Sequence, residues 1–174
     1  MPPNLSARLA AGRLHRLLLG SGLRLALAES CTGGLISALL TDLPGSSGYF
    51  WGGAVVYSNR AKSILAGVPE GLIACHGAVS EETVRALLDG ILETSGADLA
   101  CAVSGIAGPG GGSPGKPVGT VYAGVKATGA QALVERLSLK GGRRAVRLRS
   151  AEAALRMLAD LAALRLDNSA DRGV

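Results

Sequence analysis

The junction at residues 23–43 constrains this chain more than any other stretch. The apolar run "LRLALA" passes without a spacer into "ESCTGG" and then into a second apolar stretch, Leu35 to Leu43. A run this short and apolar reads as a buried strand, the glycine pair as a tight turn, and the longer stretch as a helix. A strand buried on both faces needs helices above and below it, which points to an α/β fold.

The rest of the chain repeats that alternation. Leu5, Leu9, Leu14, Leu17 and Leu18 recur at near-helical spacing and predict an opening amphipathic helix that stops at Gly20, Ser21 and Gly22. "WGGAVVYS" reads as a strand and "NRAKSILAG" as a helix with Asn59 as its N-cap. Ser80, followed by Glu81 and Glu82, marks a helix start that should run to about Ser95, and His76 is left in a loop. "DLACAVSG" reads as a buried strand, "IAGPGGGSPGKP" as an irregular loop, and "VGTVYAGVKA" and "ALVERLSL" as strands paired antiparallel across "ATGAQ". A last helix sets Val146, Leu148, Ala151, Leu155, Leu158 and Leu161 against Arg144, Arg147, Arg156 and Asp160. The predicted fold is a three-layer α/β/α sandwich around a mixed, mostly parallel sheet of about five strands. Residues 1–174 read as one domain whose tail frays after about residue 166.

Composition narrows the function classes. Cys31, Cys75 and Cys101 are odd in number and widely spaced, with no CxxC pair, which argues against a disulfide framework or zinc site and for a reducing cytoplasm. No apolar stretch approaches the ~18 residues of a membrane span, and the N-terminus lacks a signal-peptide pattern. Residues 1–135 hold nine basic and nine acidic side chains, whereas residues 136–174 hold nine and four, so the net charge of +5 arises in the last segment. Most of those arginines read as a solvated face, with a few available to an anionic small molecule.

Three positions could carry chemistry. Ser30, on the turn after a buried strand, would stand at the carboxyl end of the sheet, where open α/β proteins bind ligands. Backbone amides around Cys31 to Gly34 could stabilise an oxyanion, and Gly33 and Gly34 would admit substrate close to the backbone. On this motif alone Ser30 reads equally as a nucleophile or, with Thr32, as a helix cap. A nucleophilic serine needs a base, and Lys62 is better placed than His15 or His76. Its proton affinity would have to fall from about 10.4 toward ~7–8, about 4 kcal/mol. Tyr57, five residues earlier, could relay the proton or orient the lysine; taken singly, Lys62 reads as surface charge and Tyr57 as packing. Cys31 is a rival nucleophile if a helix N-terminus lowers its thiol, and a core residue otherwise. The spacing Gly110 to Lys116 imitates a phosphate-binding loop, but Pro117 stands where Ser or Thr would hold magnesium and a strand is predicted to follow.

Taken together, "AESCTGG", "PGSSGYFWGGAVVYSNRAK", "HGAVSEET", "SGIAGPGGG" and "KPVGTVY" closely resemble, in order, the motifs of the CinA C-terminal domain family, the nicotinamide-nucleotide amidases. The likeness runs from about Leu25 to Arg147. It implies hydrolysis of the carboxamide of nicotinamide mononucleotide to nicotinate mononucleotide and ammonia, in NAD recycling, with no metal or cofactor. Ser30 resembles the family's nucleophile, and Tyr57 and Lys62 its activating partners. Further contacts to the oxyanion or substrate are expected from Cys31, Thr32, Gly33, Gly34 and Asn59. Ser46, Ser47, the loop of Gly108, Gly110 and Gly111, Arg143 and Arg147 are expected around the phosphate. The family pattern "GDRxxVR" is met with Gly142 in place of the acid. A larger N-terminal domain that often precedes this one is not in the sequence, so the resemblance implies the stand-alone amidase form, self-associating. The competing readings are a competence-related module contacting DNA through its basic helix, which predicts steeply salt-dependent affinity, and a magnesium-dependent nucleotide phosphatase.

Overall fold

The computed structural model describes residues 3–170. Strand β1 (Leu25–Glu29) lies in the middle of the architecture, and all five of its residues are buried. Its alternation sorts them: Leu25 and Leu27 enter one core, and Ala26 and Ala28 the other. The first core is closed by α1 (Pro3–Leu18), α2 (Leu35–Thr41) and α6 (Arg143–Ala170), the second by α3 (Asn59–Ala66), α4 (Glu70–His76) and α5 (Glu81–Ser95).

With β2 (Phe50–Val55), β3 (Leu99–Gly105), β4 (Thr120–Ala127) and β5 (Leu133–Ser138), the sheet order is β2-β1-β3-β4-β5. β1 is parallel to β2 and β3, whereas β4 is antiparallel to both β3 and β5. Four strands therefore share one direction and β4 alone opposes them, which is the sense in which this mixed sheet is mostly parallel. The reversal at β4 follows from its connection. Residues 106–119 contain no crossover helix, and the loop closes on itself through Ile106 N–H to the Thr120 carbonyl and Gly119 N–H to the Ile106 carbonyl, 2.8 Å each.

Helix placement corrects several expectations. α1 buries Ala7, Ala10, Ala11, Leu14 and Leu18, so the C-terminal part of the leucine stripe faces the core while Leu5 and Leu9 are exposed. Small alanines let α1 and α6 approach closely, and that packing outweighs the larger apolar side chains. The N-cap of α3 is Ser58, whose hydroxyl accepts from the Ala61 N–H at 3.1 Å, so Asn59 is the first helical residue. His76 closes α4, a short helix that weak periodicity hid. α5 starts at the Ser80 cap as expected, and Gly90 on it is indispensable for packing: a Cβ there would sit 1.7 Å from the Ala66 carbonyl oxygen. α6 continues to Ala170, past the point where fraying was expected, and the remainder of that tail lies outside the described residues. Among the described residues no helix is long and apolar enough to cross a membrane.

Candidate active site

Ser30 stands one residue past β1, and its N–H still donates to the Val103 carbonyl at 2.9 Å, so it extends the β1–β3 ladder. The series Ala26, Ala28, Ser30 and the adjacent series Ala100, Ala102, Ser104 therefore face the same layer, that of α3 and α5. The turn that follows is built by two glycines in the left-handed region, Gly33 at φ 57° and Gly34 at φ 86°. A Cβ on Gly33 would lie 3.5 Å from Arg147 and one on Gly34 would lie 3.7 Å from Val55. The positive φ at both positions is what demands glycine here, and Gly33 is exposed while Gly34 is half-buried.

Glu29 fixes that turn from behind. Its carboxylate is buried and accepts from the Ile36 N–H (3.1 Å), the Ser37 N–H (2.8 Å) and the Ser37 hydroxyl (2.7 Å). The first amides of α2 are thus occupied by protein. The amides of Thr32 and Gly34 have no backbone acceptor among the described residues, and that of Cys31 faces only its own thiol, so these are the ones an incoming oxygen could meet. Sequence reading passed over Glu29, although an acid directly after a buried apolar strand is an unusual placement and could have marked it.

Lys62 is 1% exposed on α3. Its Nζ lies 2.9 Å from the Val56 carbonyl, 3.4 Å from the Tyr57 carbonyl and 3.2 Å from Ser30 Oγ. Burial lowers its proton affinity below the ordinary lysine value. The structure so brings together Ser30 and Lys62. Tyr57 is 59% exposed, and its hydroxyl accepts from Arg143 at 2.8 Å, so the residue meets Lys62 through its backbone carbonyl only. The phenol makes no hydrogen bond to Ser30 or Lys62 and stands in the wall of the site.

That wall encloses a cavity of about 210 Å³ lined by Ser30, Cys31, Tyr57, Asn59, Lys62, Ser104 and Arg143, among others. Arg143 ties it together, donating to the Gly108 carbonyl (2.8 Å) as well as to Tyr57, while Arg147 donates to the Thr32 carbonyl (2.6 Å). Gly110 and Gly111 are exposed in the loop beyond Gly108. Thr32 is buried and its hydroxyl has no hydrogen-bond partner. The Cys31 thiol is pushed up to about 11, chiefly by burial, which opposes the lowering expected of a helix N-terminus and leaves little thiolate near neutral pH.

Ser46 and Ser47 do not belong to this site. α2 runs back against β1, so the 3₁₀ turn Ser46–Gly48 falls where the strands begin, with Leu25 N–H on the Tyr49 carbonyl at 2.8 Å. Ser30 stands where they end. The loop imitating a phosphate-binding motif is followed by β4 and not by a helix, so that motif's geometry is absent too.

Comparison with known proteins decides the family. The family model described as the CinA C-terminal domain matches residues 8–162. The chain belongs to the CinA C-terminal domain family. CinA-family relatives include the putative competence-damage inducible protein of Symbiobacterium thermophilum, 52% identical over 151 residues, or 82% of this chain and 35% of that one. A CinA-like protein of Citrifermentans bemidjiense is 56% identical over 135 residues, 78% of this chain and 32% of that one. The chain thus spans about a third of the length of these curated relatives. Among solved structures, the competence/damage inducible protein CihA from Agrobacterium tumefaciens superposes with a TM-score of 0.87 at 41% identity, covering 90% of this chain and 95% of that one. A CinA superfamily protein from Klebsiella pneumoniae gives 0.85 at 36% identity, over 90% and 98%.

Proposed function

We propose that this CinA-family domain is a serine amidohydrolase acting on nicotinamide mononucleotide, with Ser30 as nucleophile and Lys62 as base. One observation carries the reading. A neutral amine has two N–H groups and one lone pair, and around Lys62 Nζ two of the three neighbours are carbonyl oxygens, which can only accept; the third is Ser30 Oγ. When Lys62 loses a proton, its hydrogens stay on Val56 and Tyr57 and its lone pair faces the serine hydroxyl.

In the proposed reaction Lys62 takes the Ser30 proton as Oγ attacks the amide carbon, and the oxyanion is met by the unengaged amides of the 31–34 turn. Lys62 then returns the proton to the leaving nitrogen, ammonia departs, and water hydrolyses the acyl-enzyme. General-base assistance is worth roughly 10²–10⁴ in rate and one oxyanion donor roughly 10²–10³. Arg143 and Arg147 keep further N–H groups beyond those they give to Tyr57, Gly108 and Thr32, which supports them as the donors for the substrate phosphate.

Ammonia release from nicotinamide mononucleotide, in the presence of chelator, tests the reading on the wild-type chain and a folded Ser30→Ala variant. Turnover by the first and none by the second is the expected result. Inactivity of both sinks the amidase reading, and equal activity sinks the nucleophile.

A further inference from the structure

We infer that Ser104 is a specificity-determining residue of this site, a hydrogen-bond acceptor that selects a primary carboxamide and disfavours the carboxylate it becomes. The inference rests on the amidase reading above.

Ser104 is 1% exposed at the end of β3 and lines the same cavity as Ser30 and Lys62. The register places it beside the nucleophile: Val103, its neighbour, accepts the Ser30 N–H, and both serines continue alternations that face the α3–α5 layer. Its hydroxyl lies 2.6 Å from the Ala78 carbonyl oxygen. A carbonyl cannot donate, so the single hydroxyl hydrogen is committed to Ala78 and only lone pairs remain for the cavity. Ala78 lines the cavity as well, at the turn leading into the Ser80 cap, so this bond also fixes the hydroxyl's orientation.

A group that can only accept distinguishes the two ends of the reaction. With the carbonyl oxygen of a carboxamide toward the 31–34 amides, its NH₂ can donate to Ser104 Oγ. After hydrolysis the same position holds a carboxylate oxygen, an acceptor facing an acceptor. Ser104 therefore favours the amide on entry and promotes loss of the acid. A site built to receive a donor discriminates against an analogue that lacks one, because its own buried polar group is then left unpaired.

The test compares the full chain with Ser104→Ala, which removes the acceptor, and Ser104→Cys, which is somewhat larger and a weaker acceptor. Two quantities are read: kcat/KM for nicotinamide mononucleotide and the inhibition constant of nicotinate mononucleotide. For Ser104→Ala, kcat/KM is expected to fall about tenfold, the scale of one buried hydrogen bond, while product inhibition tightens about threefold; Ser104→Cys moves in the same directions. Opposite signs are required. A merely structural role would weaken substrate and product together, and that result, or an unchanged ratio, overturns the inference. Binding to a folded Ser30→Ala chain supplies a further arm should the Ser104 variants not fold. The methyl ketone analogue of nicotinamide mononucleotide matches the carboxamide in shape but presents no donor to Ser104, so its dissociation constant is expected to be about tenfold higher than that of the amide; equal or tighter binding of the ketone overturns the inference. Wild-type protein that releases no ammonia sinks the amidase reading itself, whereas wild-type turnover with an unaltered Ser104→Ala ratio sinks only this assignment.

Discussion

Replacing Lys62 by methionine separates catalysis from stability more cleanly than any other change in this site. The side chain is 1% exposed, and its Nζ meets two carbonyls and Ser30 Oγ. Methionine keeps most of the buried aliphatic volume and removes the titrating nitrogen. Losing the donor leaves the Val56 carbonyl short of a partner, a cost of about 1–3 kcal/mol, while removing a buried ammonium relieves a desolvation penalty of several kcal/mol. The two oppose each other, so thermal stability near neutral pH should be at or above wild type. Turnover should fall by about 10²–10⁴, the contribution of a general base. The pH dependence of stability gives a second readout. The folded chain holds the Lys62 proton less tightly than the ordinary value of 10.5, so between that lowered value and 10.5 the unfolded state binds more protons. Stability contributed by this group therefore rises with pH across that window, and the rise should vanish in Lys62→Met. Ammonia release and thermal melts between pH 6 and about 10 suffice as assays. Turnover within tenfold of wild type, or a melting temperature that drops sharply with no change in pH slope, would refute the assignment of Lys62 as a buried base.

Glu29→Ala removes the acceptor of three hydrogen bonds behind the Ser30 turn and should cost about 3 kcal/mol, roughly 6–12 °C in melting temperature for a chain of this size; a shift below about 2 °C would contradict the capping role. Tyr57→Phe loses only the bond from Arg143, so KM should rise about three- to tenfold with kcat moving less than tenfold, whereas a hundredfold fall in kcat would restore the phenol as a proton relay. Brief iodoacetamide labelling at pH 7.5 followed by mass spectrometry should modify exposed Cys75 and spare Cys31 and Cys101, both buried with thiols pushed up by burial; rapid labelling of Cys31 would reopen it as a nucleophile.

Much of the architecture could be read along the chain because each element carries its own local signal. "LALAE" alternates leucine and alanine between two cores, Ser80 caps α5 as a serine before two glutamates should, and the strands around "ATGAQ" pair antiparallel. α4 was missed because seven residues with Ile73 as their buried anchor leave hardly any periodicity to detect. Of the leucine stripe of α1, Leu14 and Leu18 are buried as expected, and Leu5 and Leu9 depart from it for another reason. Periodicity reports which side chains are apolar, but burial depends on how closely the partner helix can come, and alanines permit the closer approach.

The sequence by itself determined the order of strand, turn and helix around Ser30 and the family motifs that single out Ser30 and Lys62. These are local facts, set by composition, spacing and turn chemistry. Only the tertiary structure decided what those residues meet. It buried Lys62 and aimed it at Ser30 between two carbonyls, turned the Tyr57 hydroxyl toward Arg143 on a helix far along the chain, and sent Ser46 and Ser47 to the opposite end of the sheet. It also committed the Ser104 hydrogen to Ala78. Proton affinity, hydrogen-bond direction and proximity depend on neighbours distant in sequence, and no spacing along one strand or helix encodes them.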